Sequence, residues 1–154
     1  MWTSEQHRRL VLENEILQKE GFTQFTVYQD KAANTYYASG VTSSNSGRQY
    51  RLYIPIPSGF PFQRPPMYLT QPFPLLMADR RPVSSLGLSH AMHTLPPSSE
   101  GWVQICHWRD ARWHANILLQ KVFLKGLIWI EAYEQHLATG RPLAEFVLTM
   151  AEGL

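Results

Sequence analysis

Only one cysteine, Cys106, occurs in the 154 residues, so no intramolecular disulfide can form, and the chain suits a reducing compartment. Net charge is almost lacking too. Fourteen Lys and Arg against twelve Asp and Glu leave +2, too little to imply nucleic-acid binding, and the basic residues are scattered. No apolar run approaches the roughly 18 residues of a membrane span, and the opening Met-Trp-Thr-Ser-Glu-Gln-His-Arg-Arg has no signal-peptide core. The expectation is a cytoplasmic protein with neither a membrane nor a nucleic-acid partner. Helix is excluded from the middle of the chain, because most of the eleven prolines fall between Pro55 and Pro97. With 44% apolar and 17% charged residues, the chain reads as one globular domain over 1–154, long enough to bury about 68–70% of its unfolded surface.

What is present gives an order of elements. A helix of about sixteen residues runs from a Thr3 or Ser4 cap to Gly21, with a narrow apolar stripe and an outer face carrying Arg8 and Arg9. Alternating stretches at 22–28, 35–41 and 49–56, joined by polar turns, read as strands of an antiparallel meander, and Met67 to Thr70 makes a fourth. Residues 71–100 show no period, and so long an irregular segment is functional or mobile. It is expected to form the wall of a site. Residues 116–137 are apolar over most of their circumference, which fits a buried helix, with Gln120, Lys121 and Lys125 as the exceptions in the first half. Gly140 stops that helix, and Pro142 opens a last one with Leu143, Phe146, Val147 and Met150 on one face. The fold class is therefore α+β: an N-terminal helix, a four-stranded antiparallel meander, a long irregular active-region segment and two C-terminal helices. The tryptophans and tyrosines fall at apolar positions that core packing explains.

The chemistry concentrates in Gly101-Trp-Val-Gln-Ile-Cys106-His-Trp-Arg-Asp-Ala-Arg-Trp113. A short apolar run delivers Cys106, and a polar bend with Arg109, Asp110 and Arg112 follows. One reading is a buried, inert strand cysteine, since free cysteine is among the most buried residue types. The other is an accessible thiol whose pKa the neighbouring cations lower, enriching the nucleophilic thiolate.

Three pieces in order resemble the ubiquitin-conjugating enzyme family. Tyr50-Arg-Leu-Tyr-Ile-Pro-Ile-Pro57 and Gly59-Phe-Pro-Phe-Gln-Arg-Pro-Pro-Met67 look like its strand and its Tyr-Pro-Phe-Lys-Pro-Pro segment. Gly101 to Cys106, then Trp113, then Ile117-Leu-Leu-Gln-Lys-Val-Phe-Leu124, look like its Gly-x-Ile-Cys, tryptophan and Leu-x-Ile-x-Lys-Val-Leu-Leu pattern. Residues 128–140 are more similar to the bacterial members, which are associated with antiphage ubiquitin-like conjugation operons and cyclic-oligonucleotide defence. The resemblance implies a ubiquitin-conjugating-like fold and a cysteine carrier: an activating enzyme passes the C-terminus of a ubiquitin-like modifier to Cys106, and a target protein's amine takes it. It implies no metal and no cofactor.

Departures from the pattern are as informative. The family's upstream His-Pro-Asn has His93-Thr-Leu95 as its nearest counterpart, and Leu95 cannot donate a hydrogen bond. Its place falls to His107, to His114 or to a backbone N–H before Cys106, with His93 either fixing the loop or taking part. Arg141-Pro-Leu143 stands where many members have Asp-Pro-Leu, so the attacking amine is left to Glu131, Glu134 or a partner, or Arg141 orients a carboxylate-bearing target. The resemblance places the activating enzyme on Arg8 and Arg9. It places a ligase on Phe62, unless Phe62 is a core aromatic, and on His114, Ala115 and Asn116. Two rivals stand beside the carrier: a non-catalytic binding or scaffold subunit of the same fold, and a metal hydrolase built from His90, His93, His107 and His114 with Asp110. The second rival lacks the helical spacing that presents two imidazoles to one zinc.

Overall fold

Helix α1, Ser4–Lys19, starts where the sequence places it. Thr3 accepts from the Gln6 N–H at 3.0 Å and donates its own N–H to the Gln6 side chain at 2.9 Å, a reciprocal capping box. The computed structural model describes residues 1–147. After Gly21, in a left-handed conformation at φ 83°, the chain does not enter a strand at Phe22. Residues 22–25 form a turn closed by Phe25 N–H to Phe22 O at 3.0 Å, and Phe25 stacks at 3.9 Å on Phe123. Strand β1 is therefore Thr26–Asp30, followed by β2 Thr35–Ser43, β3 Gln49–Ile56 and β4 Met67–Gln71. All four pair antiparallel with their chain neighbours, as expected.

The sheet has six strands rather than four. Within the supposedly irregular region Thr94–Leu95 forms β5, and the run before the cysteine, Val103–Ile105, forms β6. The order is β1-β2-β3-β4-β6-β5, so β6 lies between β4 (Met67 opposite Ile105) and β5 (Thr94 opposite Ile105). One face of the sheet is closed by helix α2, Leu119–Thr139, through Leu52, Ile54, Met67, Leu69, Val103 and Ile105 from the strands and Val122, Phe123, Trp129 and Ile130 from the helix. Burial of each such side chain contributes about 1.5–3 kcal/mol. The other face keeps Tyr28, Tyr37, Tyr53, Tyr68 and Trp102 in neighbouring ring contacts, and Tyr28 is 45% exposed, so core packing does not account for these aromatics.

The first turn of α2 has no cap of its own. Glu13 of α1, fully buried, accepts the Leu119 N–H at 2.8 Å, and Arg9 pairs with Glu13 at 2.7 Å. The two helices are thereby tied end to face, and burial holds the Glu13 carboxyl above its usual range despite those partners. Gly140, at φ 74°, ends α2 as expected. The element after Pro142 is a four-residue 3-10 turn, Leu143–Phe146, rather than the start of a regular α-helix, and the expected Met150 lies outside the described residues. No described helix is long and apolar enough to cross a membrane.

Candidate functional site

Cys106 follows β6 directly. Its N–H donates to the carbonyl of His93 at 3.1 Å, extending the β5–β6 pairing by one bond and fixing the start of the loop that carries the thiol. The residue is half-buried and opens on a cleft of about 180 Å³ whose wall is residues 88–95 and whose rim includes Arg109. The irregular segment thus supplies the wall, as its lack of period suggested. Leu88, 70% exposed, stands at the mouth.

The protonation of the thiol differs from the expectation. Burial pushes the Cys106 thiol up, and Arg64, Arg109 and Lys125 offset that only in part, so the group is not a ready thiolate. Arg112, named with Arg109 as a neighbouring cation, is exposed on the following 3-10 turn.

The histidines separate into different roles. His93 lines the cleft beside Cys106, adopts φ 57°, and has a ring Nε2 that is buried without a partner. Burial and the nearby His90, Lys125 and Arg109 hold its ring below the usual histidine range, so it is neutral at pH 7. The loop-fixing reading of His93 has a bond behind it, its carbonyl accepting the Cys106 N–H, while its ring borders the cleft with Nε2 turned away from solvent. His107 borders the cleft, but it does not offer a donor there. Its buried ring gives the Nε2 proton to the Pro65 carbonyl at 2.7 Å, and Nδ1 is bare. Desolvation lowers its pKa to about 3, so no second N–H is available. His114 is exposed on the turn after Trp113 and does not line the cleft, and the residues before Cys106, Val103–Ile105, lie in β6, paired on both edges by β4 and β5. Because His107 is bound to Pro65, the four-histidine metal set does not assemble, and among the described residues no three His, Cys, Asp or Glu side chains converge.

A pH dependence follows from His107. Its folded pKa lies below the usual 6.5, so the unfolded chain takes up the proton first on acidification. Its contribution to stability is complete above pH 6.5 and is lost as pH falls toward about 3. The urea midpoint is expected to fall across that window, and His107→Gln, which keeps a donor for Pro65 without a titrating ring, is expected to flatten the fall. An equally steep curve for the variant removes His107 as the cause.

Elsewhere the expected residues scatter. Glu134 accepts from Ser44, Ser46 and Tyr50, and Glu131 accepts the Asn45 N–H, so both brace the β2–β3 loop. Arg141 is paired with Glu145 at 2.8 Å on the surface. Arg8 is exposed, as docking requires, but Arg9 is turned inward, bound to Glu13, to the Ile117 carbonyl at 3.1 Å, and over the Phe60 ring. Phe62 is 82% exposed, which rules out its reading as a core aromatic, and Ala115 is half-buried between exposed His114 and Asn116.

Two cations close to the thiol were not among the expected site residues. Arg64 pairs with Asp110 at 2.7 Å and has a buried Nη1 without a partner. Lys125 is wholly buried: its Nζ donates to the His107 carbonyl at 3.0 Å and sits 3.6 Å from the Trp108 ring centroid. Its spacing held a signal, since Lys125 stands three residues after Val122 and four before Trp129, on the face that carries the core. Compared with models of known families and with curated proteins, the chain matches none.

Proposed function

We propose that this chain is a ubiquitin-conjugating-type enzyme whose Cys106 receives the C-terminus of a ubiquitin-like modifier from an activating enzyme and passes it to an amine of a target protein, in a bacterial antiphage system. The observation that carries the reading is the placement of Cys106: a half-buried thiol at the end of a paired strand, opening on a narrow cleft. That cleft, of about 180 Å³, has room for an extended chain end such as a terminal glycine. The motif order from Tyr50 to Leu124 and the arrangement of helix, meander and buried second helix support the same family.

The chemistry is two acyl transfers. In the first, Cys106 sulfur bonds to the modifier's terminal carbonyl carbon, the bond to the activating enzyme's sulfur breaks, and the thiol proton ends on that departing sulfur. In the second, the amine nitrogen bonds to the carbonyl carbon, the bond to Cys106 breaks, and a proton from the amine returns to Cys106. A thiol held above its usual pKa leaves reluctantly, so the thioester persists until an amine is positioned. His93, neutral and lining the cleft beside Cys106, is the expected histidine left for the developing oxyanion, and its ring must turn to present the unpaired Nε2, which is buried. Exposed Arg8 is the docking residue that remains for the activating enzyme, and Phe62 and the turn of His114, Ala115 and Asn116 are those that remain for a ligase.

The raised thiol and the leucine at position 95 favour a second reading, a non-catalytic subunit of the same fold that binds the modifier without accepting it. A non-reducing gel after mixing with activating enzyme, modifier and ATP separates the two. The carrier gives an adduct of the summed masses that a thiol reductant removes; if the donor is charged and no adduct forms, the chain is the binding subunit.

A further inference from the structure

We propose that Lys125 is a positioning residue for Cys106: a buried ammonium locked under the cysteine loop that stabilises negative charge on the sulfur as the thiolate forms or departs. The inference rests on the acyl-carrier reading and supplies the charge stabilisation that reading needs.

The amine is fixed from several sides. Nζ donates to the carbonyl of His107, the residue after Cys106, and lies against the Trp108 ring. The helix cannot roll to release it. Next to it Gly126 packs so closely that a Cβ there would stand 2.8 Å from Leu52 Cδ1 and 3.0 Å from Met67, and Trp129, one turn on, donates to the Met92 carbonyl at 3.0 Å. Lys125 forms no salt bridge among the described residues. An ammonium buried without a carboxylate is costly, and a methionine would fill the same space without the charge while leaving the His107 carbonyl unpaired. The carbonyl and the Trp108 face hold the ammonium in place, one residue along the chain from a sulfur that must carry negative charge.

The charged and titratable groups around Cys106 come from every element packed on it: Arg64 from the β3–β4 connection with its partner Asp110, Arg109 from the loop, His90 and His93 across the cleft, His107 beside it, and Lys125 from α2. Arg109 is exposed and screened by water, and Arg64 is partly neutralised by Asp110. Lys125 is neither. Burial drives the two groups toward their neutral forms, the thiol up and Lys125 down to about 8, and the charge of each favours the charge of the other. At pH 7 the lysine is still mostly an ammonium, and it adds to Arg64 and Arg109, which act on the sulfur more strongly, as the proton leaves.

The rate at which iodoacetamide alkylates Cys106, followed from pH 6 to 11, tests this in the full chain. Lys125→Met is expected to slow alkylation about fivefold at pH 7, where the lysine is charged, and to converge on the parent above about pH 9, where the lysine is itself mostly neutral, while Lys125→Arg stays within about twofold of the parent at pH 7. A folded Lys125→Met that alkylates at the parent's rate at pH 7 overturns the proposal. Because methionine leaves the His107 carbonyl unpaired, a reciprocal measurement keeps the core intact: the NMR titration of the Lys125 Cε signal in Cys106→Asp and Cys106→Ser. The aspartate is expected to raise the lysine midpoint above that in the serine variant by about one pH unit; equal midpoints overturn the proposal. Neither measurement uses a modifier or an activating enzyme, so a missing thioester would sink the carrier reading and leave these results standing.

Discussion

Cys106→Ala is expected to abolish transfer, by at least about a thousandfold, while leaving the fold within about 1 kcal/mol of the parent. The large and small halves of that expectation have separate origins. The Cys106 sulfur is the only atom of this chain that bonds to the carbonyl carbon in the proposal, and the chain has no second cysteine to take over. Structurally, the side chain is half-buried and its backbone bond to His93 does not involve sulfur, so a methyl group disturbs little. Cys106→Ser sharpens the result: an oxygen nucleophile would give an adduct that survives thiol reductant. Urea melts and a single-turnover gel read the two halves together. A reducible adduct persisting in the alanine variant would place the chemistry on the partner, and an unfolded alanine variant would mean that the cysteine is structural.

The other large effect concerns stability, at a residue far from the cleft. Gly40→Ala is expected to destabilise the fold by more than about 4 kcal/mol, so that little folded protein survives at 37 °C. A Cβ at Gly40 would stand 1.8 Å from the Gln24 carbonyl oxygen and 2.9 Å from Phe25 Cδ1. Phe25 has no room to retreat, being fully buried and stacked on Phe123 of α2. The added methyl must therefore push β2 away from the turn before β1 or expel an aromatic ring from the core. Circular dichroism melts decide it, and a variant melting within a few degrees of the parent would show that β2 does not approach that turn so closely.

Gly40 also shows what a sequence conceals. In the alternating stretch at 35–41 it looks like an indifferent strand glycine, because the atom it makes room for belongs to Gln24, which follows no pattern shared with it. Where structure is local, the reading succeeded: Thr3 and Gln6 announce the start of α1, β3 occupies Gln49–Ile56 as its alternation requires, and Gly140 ends α2. Phe22 and Phe25 imitated the start of a strand, but their rings are drawn beneath the helices and the pairing begins only at Thr26. Strands β5 and β6, of two and three residues, are too short to show a period and exist through pairing with distant segments. At the site, the position of Cys106 was legible and its ionisation was not. Arg112, close in sequence, is exposed, while Lys125, eighteen residues beyond His107, lies directly under the loop. His107 was an attractive donor by proximity alone, and only the Pro65 carbonyl shows where its proton goes.

The pairing of β6 on both edges makes the cleft a fixed slot. One jaw, the strand leading to the thiol, is clamped by β4 and β5 and cannot shift without breaking the sheet. The opposite jaw, residues 88–93, is tied down as well: Ser89 and Thr94 exchange two backbone bonds, and the carbonyls of Ala91, Met92 and His93 accept from the Ala144 N–H at 2.9 Å, the Trp129 ring at 3.0 Å and the Cys106 N–H at 3.1 Å. The gap is therefore set from both sides, and which chain ends fit is decided by the side chains on its walls, Leu88 at the mouth foremost, with the sulfur held where it is.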